Sequence, residues 1–388
     1  MKKLLSLVLA LVLVLSLGAC TYPDETKAPT QAPAPTQGQT QSPGTQNPQE
    51  SNSAASGFEY KMIPWLSEYD QYRYDGEFNV LYLVCTTLAE YFPNSYAVWD
   101  PILTEAGIHM DLQGPPEYSD NSLISTLESA LASQTYDVIL LYPITPQAIT
   151  PLLDDIWNTY HVPVVAYAFD SPTGCGHYYM GTSYYQAGVV LGHSIVDYVN
   201  KNKAYFDTLD TIPFVVYKNS AGAEQYKRIQ GAMSVLEADG RFTLIEEYEA
   251  NGESICMAQT ETVLNLHPEV EVILTQIDND VTGTYAAVTS GAFTCSDYLS
   301  IWGYDATGAV CALMSEGGVD GYAQGSSFID HYQAGQALVE FLPIVVGAAK
   351  QNVLIDFPKE QFDYLDTLLA NYYLTVTPEN VSKYYTPK

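Results

Sequence analysis

The chain has 388 residues, with 45 acidic against 15 basic side chains and a formal charge of −30. It offers no stripe of Lys and Arg to neutralise phosphates, which excludes nucleic acid and an anionic membrane surface as electrostatic partners. Apolar residues make up 47% of the chain, enough for a globular body with two cores of its own.

Met1, Lys2 and Lys3 precede an apolar run from Leu4 to Leu17 that only Ser6 and Ser16 interrupt. The run falls short of the ~20 residues a spanning helix needs, while its basic start suits a secretory leader. Leu17-Gly18-Ala19-Cys20 then resembles the bacterial lipobox, so Cys20 is expected to be a lipid anchor and residues 1–20 a lipoprotein signal peptide. Two or more acyl chains give stable attachment where one is marginal. The expected location is therefore the extracytoplasmic face of the cell membrane, with contact through the lipid alone. Residues 21–56 contain no Leu, Ile, Val, Phe, Met or Trp and are dense in Pro, Gln, Thr and Ser. They cannot bury enough surface to offset ordering, and the expectation is a disordered tether.

From residue 78 short β-rich runs alternate with longer amphipathic ones. FNVLYLVC (78–85) is expected as a buried strand, and in 121–134 Leu123, Leu127 and Leu131 share one helical face. YDVILLYP is a second strand. Thr145 and Pro146 then mark the start of a helix holding Leu152, Leu153, Ile156 and Trp157, and HVPVVAYAFD is a third strand. Near residue 182 the series restarts with a helix in YYQAGVVLGHSIVDYV, a strand in TIPFVVYK and a helix that Gly240 closes. Strands follow in FTLIEEYE, EVEVILTQ and YLSIWGYD, with helices near 254–266, 280–290 and 306–316. Two such series predict an α/β protein of two doubly wound parallel-sheet lobes, with ligands outside the carboxyl ends of the strands.

The motifs of phosphate-binding loops, serine hydrolases and zinc proteases are absent from the sequence. Neither a cofactor nor a metal is expected. After Cys20 the cysteines are Cys85, Cys175, Cys256, Cys295 and Cys311, an odd and scattered set that favours buried free thiols over a disulfide framework. The strand ends carry hydrogen-bonding and aromatic residues instead: Tyr142, Asp170, Asp278, Asp305 and Gln324. Carboxylates and amides take hydrogen bonds from vicinal hydroxyls, and flat aromatics cover the apolar faces of a sugar ring.

In order and spacing, the segments YDVILLYPITPQAITPLL, VPVVAYAFDS, GTSYYQAG, YKRIQGAMSVL, IWGYDATG and GYAQ resemble the type I periplasmic sugar-binding proteins, the ribose- and galactose-binding receptors of ABC transporters. The resemblance implies two lobes joined by three hinge strands: 57–182 with 325–355, and 183–324 with 356–388. Carried over by position, it implies ligand contacts at Asp170, Arg228, Asp305 and the hinge residue Gln324, and an aromatic sandwich near Tyr91 and Phe92. Where the family has Asn residues, Tyr142 and the Ile277-Asp278 pair stand here, so a more aromatic pocket is expected. The expected protein is a monomeric, non-enzymatic receptor that passes a small polar ligand, most simply a sugar, to an ABC permease. Two other readings of the residues stand beside it: a sensor feeding a histidine kinase or chemoreceptor, and a secreted hydrolase.

Overall fold

The computed structural model describes residues 58–133, 135–167, 175–220, 223–291 and 293–385. The expected leader, Cys20, the tether and Asp170 lie outside them.

The first lobe is built on five parallel strands, β1 (Phe78–Leu83), β2 (Ile108–Gln113), β3 (Val138–Leu141), β4 (Val164–Tyr167) and β5 (Tyr178–Met180), in the order β2-β1-β3-β4-β5. Along β1, Val80 and Tyr82 enter one core and Leu81 and Leu83 the other, as period-two alternation requires when both faces are covered. Helix α1 (Tyr91–Glu105) packs Phe92, Trp99 and Leu103 into the first of these cores. Helix α2 (Asp120–Ser133) and the short α3 (Leu153–Tyr160) cover the opposite face. The helix expected from Thr145 is broken: a single turn, Pro146–Ile149, passes into a 3-10 turn that contains Pro151 before α3 begins. Pro151 cannot supply the backbone N–H that a continuous helix needs.

The second lobe has six strands, β6 (Ile212–Lys218), β7 (Phe242–Glu249), β8 (Val272–Leu274), β9 (Ser300–Tyr304), β10 (Ala323–Ile329) and β11 (Tyr373–Val376). Their order is β11-β10-β9-β8-β6-β7, and the β10–β11 pair is antiparallel. Around this sheet lie α4 (Tyr184–Lys201), α5 (Ala223–Asp239), α6 (Glu253–Leu266), α7 (Asp278–Thr289) and α8 (Gly308–Gly317). Helices α4 and α5 meet backbone to backbone through glycines: a Cβ on Gly188 would lie 1.9 Å from the Arg228 carbonyl oxygen, and one on Gly231 2.0 Å from that of Tyr185.

Helices α9 (His331–Lys350) and α10 (Lys359–Ala370) return to the first lobe, where Leu338, Phe341, Val345, Leu365 and Leu369 join the α1 core. The chain thus passes between lobes three times, after β5, after β10 and before β11. The first of these passages lies between β5 and α4, the second between β10 and α9 and the third between α10 and β11, and the apolar stripe of α10 (Phe362, Leu365, Leu369) belongs to the first-lobe core. Residues 58–77 also pack on this lobe, where the buried Glu340 carboxylate accepts the backbone N–H groups of Lys61, Met62 and Ile63. Among the described residues the five cysteines are free, four of them buried.

Candidate functional site

In each sheet the strand order reverses at one point, between β1 and β3 in the first lobe and between β6 and β8 in the second. Helices leave opposite faces there and a crevice opens at the carboxyl ends of the strands. The loop after β1 leads to Tyr91 and Phe92 at the start of α1, and Tyr142 directly follows β3. Opposite them, Arg228 lies on α5, which follows β6, and Asp278 opens α7, which follows β8. Asp305 follows β9.

These side chains meet across the lobes. The Tyr142 hydroxyl shares a hydrogen bond with the hydroxyl of Tyr184, the first residue of α4. The Phe92 ring stands edge-on to Tyr142 at 4.8 Å, and Tyr91 stands edge-on to His331 at 5.2 Å. Arg228 is 7% exposed, with its guanidinium carbon 4.6 Å from the Tyr184 ring and 5.3 Å from the Tyr304 ring. The backbone fixes its position, since Tyr304 Oη donates to the Arg228 carbonyl at 3.0 Å and Gly188 leaves that carbonyl its space.

Arg228 Nη1 lies 2.9 Å from Asp305 Oδ1, but among the described residues neither Nη1 nor Nε has an aligned acceptor. The pair is within Coulombic reach and off-line for a hydrogen bond, which leaves donors for a third group. Burial is the largest influence on Arg228 and pushes it down, but Asp305 together with the neighbouring Tyr184, Tyr142 and Tyr373 more than offsets this, so the guanidinium stays ionised. Asp305 has φ of 101° and Ala306 of 45°, left-handed values that cost energy for residues with a Cβ. Four consecutive N–H groups hold this turn in place: Asp305 to Ser327 O, Ala306 to Ser326 Oγ, Thr307 to Asp278 Oδ2 and Gly308 to Glu90 Oε2.

Asp278 therefore supports the turn, with Oδ1 accepting from Ser326 Oγ and Oδ2 from Thr307 N, each at 2.7 Å. Burial, and then the nearby Asp305, push its pKa up to about 8. Gln324 departs further from expectation. It sits at the amino end of β10, and its amide donates to the carbonyl oxygens of Val319 and Gly321, so it faces away from the crevice. The segment GYAQ suggested a hinge, but the strand continues five residues beyond Gln324, and the crossing falls at Asp330.

Four residues of this cluster were not singled out in the sequence. Tyr184 stands in GTSYYQAG, where Ser183 caps α4 by accepting from Gln186 N at 3.2 Å, and a Ser before an apolar-periodic run is the signal that could have placed it. Tyr304 ends β9 beside Asp305. Glu90 and His331 carry no local signal. His331 is buried, which lowers its pKa to about 4 and keeps the imidazole neutral, and its Nδ1 has no hydrogen-bond partner among the described residues. Among those residues no group of three or more His, Cys, Asp or Glu could hold a metal ion, and no helix is long and apolar enough to cross a membrane. Two concavities of the first lobe, about 420 Å³ around Asp137, His161 and Lys350 and about 170 Å³ around Leu131, Ile139 and Val162, lie toward the amino ends of its strands, away from this cluster.

Two doubly wound lobes that bring aromatic rings and an acid–base pair together at their switch points define a two-lobe binding protein. The family described as periplasmic binding protein domain matches residues 84–347, and the chain belongs to it. Solved structures of type I periplasmic binding proteins share the fold. AraP, an arabinose binding protein from Geobacillus stearothermophilus, superposes with a TM-score of 0.63 at 18% identity, over 80% of this chain and all of that one (100%). GanP, a glucose-galactose binding protein from the same organism, gives 0.60 at 17%, over 78% and 98%. A periplasmic solute binding protein of an ABC transporter from Actinobacillus succinogenes, with bound D-allose, gives 0.59 at 16%, over 79% and 100%. A sequence comparison with curated proteins gives no match.

Proposed function

We propose that this protein is the solute receptor of an ABC importer and binds a small neutral polyhydroxylated ligand, a sugar or cyclic polyol, between its lobes. The observation that carries this reading is the pair of the buried Arg228 and the half-buried Asp305, whose opposite charges cancel while Arg228 Nε and Nη1 have no aligned acceptor among the described residues. A neutral hydroxyl can accept from the guanidinium and donate to the carboxylate at once. The surrounding Tyr91, Phe92, Tyr142, Tyr184 and Tyr304 supply flat apolar surface for the C–H faces of a ring. The solved relatives with bound D-allose and, in a Bacillus halodurans protein, myo-inositol agree with this class. No reaction is performed: binding shifts an open–closed equilibrium, and a membrane permease reads the closed form. A lipid at Cys20, the 21–56 tether and a monomeric state complete the proposal.

The test is a thermal-shift panel of pentoses, hexoses, myo-inositol and glycerol, with mass analysis of the recovered solute. At least one sugar or cyclic polyol is expected to raise the melting temperature and return unchanged. A panel without any shift, or a cleaved solute, contradicts the reading.

A further inference from the structure

The turn that carries Asp305 is satisfied by its own lobe through three successive N–H groups, while the fourth, from Gly308, is donated to the Glu90 carboxylate of the first lobe at 3.1 Å. Glu90 closes the loop after β1, directly before Tyr91. Gly308 is the first residue of α8, a ten-residue helix. A carboxylate at that end meets both an unpaired donor and the positive end of the helix dipole. A second bond between protein groups, Tyr142 to Tyr184, crosses between the lobes as well.

We propose that Glu90 is a closure latch: it engages the α8 N-terminus so that the free receptor already populates its closed form, and it sets affinity without touching the solute. This rests on the reading of the two lobes as closing over a solute. Closure held partly by the chain itself raises the competent fraction before binding, and apparent affinity scales with that fraction. Glu90 is thus a positioning residue. Its effect belongs to the interlobe equilibrium and to the lifetime of the closed complex.

The latch can be broken from either side. Glu90→Ala removes the acceptor. Gly308→Pro removes the donor and keeps the helix, because proline is accepted at the first helical position and the preceding Thr307 has the extended ψ of 155° that proline requires. A Cβ at 308 would meet Glu90 Oε2 at 3.7 Å, an ordinary contact. Ser129 on α2 and Thr262 on α6 are exposed and report on the two lobes. Spin labels carried there on keto-bearing unnatural residues leave the cysteines untouched, and pulsed dipolar spectroscopy of the full chain without added solute reads the interlobe distance. Wild type is expected to show a short-distance population. Each variant should move at least half of it to longer distance with the melting temperature retained, and the double variant should go no further than either single one. Superimposable distributions for wild type and both variants, a wild type without the short population, or an additive double variant overturns the latch. The readout uses no ligand, so a failed sugar panel would count against the proposed solute and leave this result standing.

Discussion

Glu340 and Met62, far apart in sequence, are joined by hydrogen bonds from the Met62 backbone N–H to Oε1 at 3.0 Å and to Oε2 at 3.2 Å. The neighbouring amides of Lys61 and Ile63 complete the clamp, and Tyr364 Oη donates to the Met62 carbonyl at 2.9 Å. Beside it α9 allows very close approach, since a Cβ on Gly347 would stand 1.7 Å from the Tyr72 carbonyl oxygen. The segment that precedes β1 is thus fastened to the outer layer of the first lobe.

Glu340→Gln should destabilise the protein by about 1–3 kcal/mol, because an amide nitrogen would then face backbone N–H groups that need an acceptor. Chemical denaturation measures this directly. The wild-type affinity should be preserved, since Glu340 lies remote from the crevice; a variant with unchanged stability would remove the clamp from the account.

Gly188→Ala should lower stability and solute affinity together. The added methyl would collide with the Arg228 backbone, which cannot swing aside as a flexible side chain could, so α4 and α5 must separate and carry the guanidinium with them. Melting temperature and calorimetric affinity for the sugar identified in the panel are the two readouts. A stability loss at full affinity would show that Arg228 is not held in place by this contact.

Asp278 gives the fold a pH dependence of definite sign. Its pKa rises from 3.8 in the unfolded chain to about 8 in the folded one, so between these values the native state binds the extra proton. Its contribution to stability is therefore full below pH 3.8, declines as pH rises toward 8, and is flat above that. Relative to Asp278→Asn, whose side chain does not titrate, the wild-type melting temperature should fall from pH 6 to pH 8 and then run parallel. Equal slopes over that interval would contradict the shift.

Much of the architecture was legible because the two periodicities are strong. Val80, Tyr82 and Leu81, Leu83 read as a strand buried on both faces, and Leu123, Leu127 and Leu131 as a helix, without knowledge of any neighbour. The later part of the first lobe was harder, since Leu365 and Leu369 are helical by spacing but nothing local says which lobe they cover. Site residues divide in the same way. Asp305 sits at a strand end that the pattern marks, Arg228 was indicated only by the family resemblance, and the structure brings the two together. Asp278 carried the same mark, yet its two oxygens serve Ser326 and Thr307, a role set by contacts 48 and 29 residues away. Gln324 stands near the start of β10, which runs on to Ile329, a length its own segment does not reveal. Glu90 gains its place only when the lobes meet, which no window of sequence contains.

The most direct test of the receptor reading is calorimetric titration of wild type and Asp305→Ala with the sugar that gives the largest thermal shift. A hydrogen bond to a charged group is worth ~1.5–3 kcal/mol, so the variant should bind roughly ten- to a hundredfold more weakly, and its melting temperature should fall as well because the buried Arg228 loses its counter-charge. Unchanged affinity together with a clearly lowered melting temperature would make Arg228 and Asp305 a structural ion pair and contradict a solute site between the lobes.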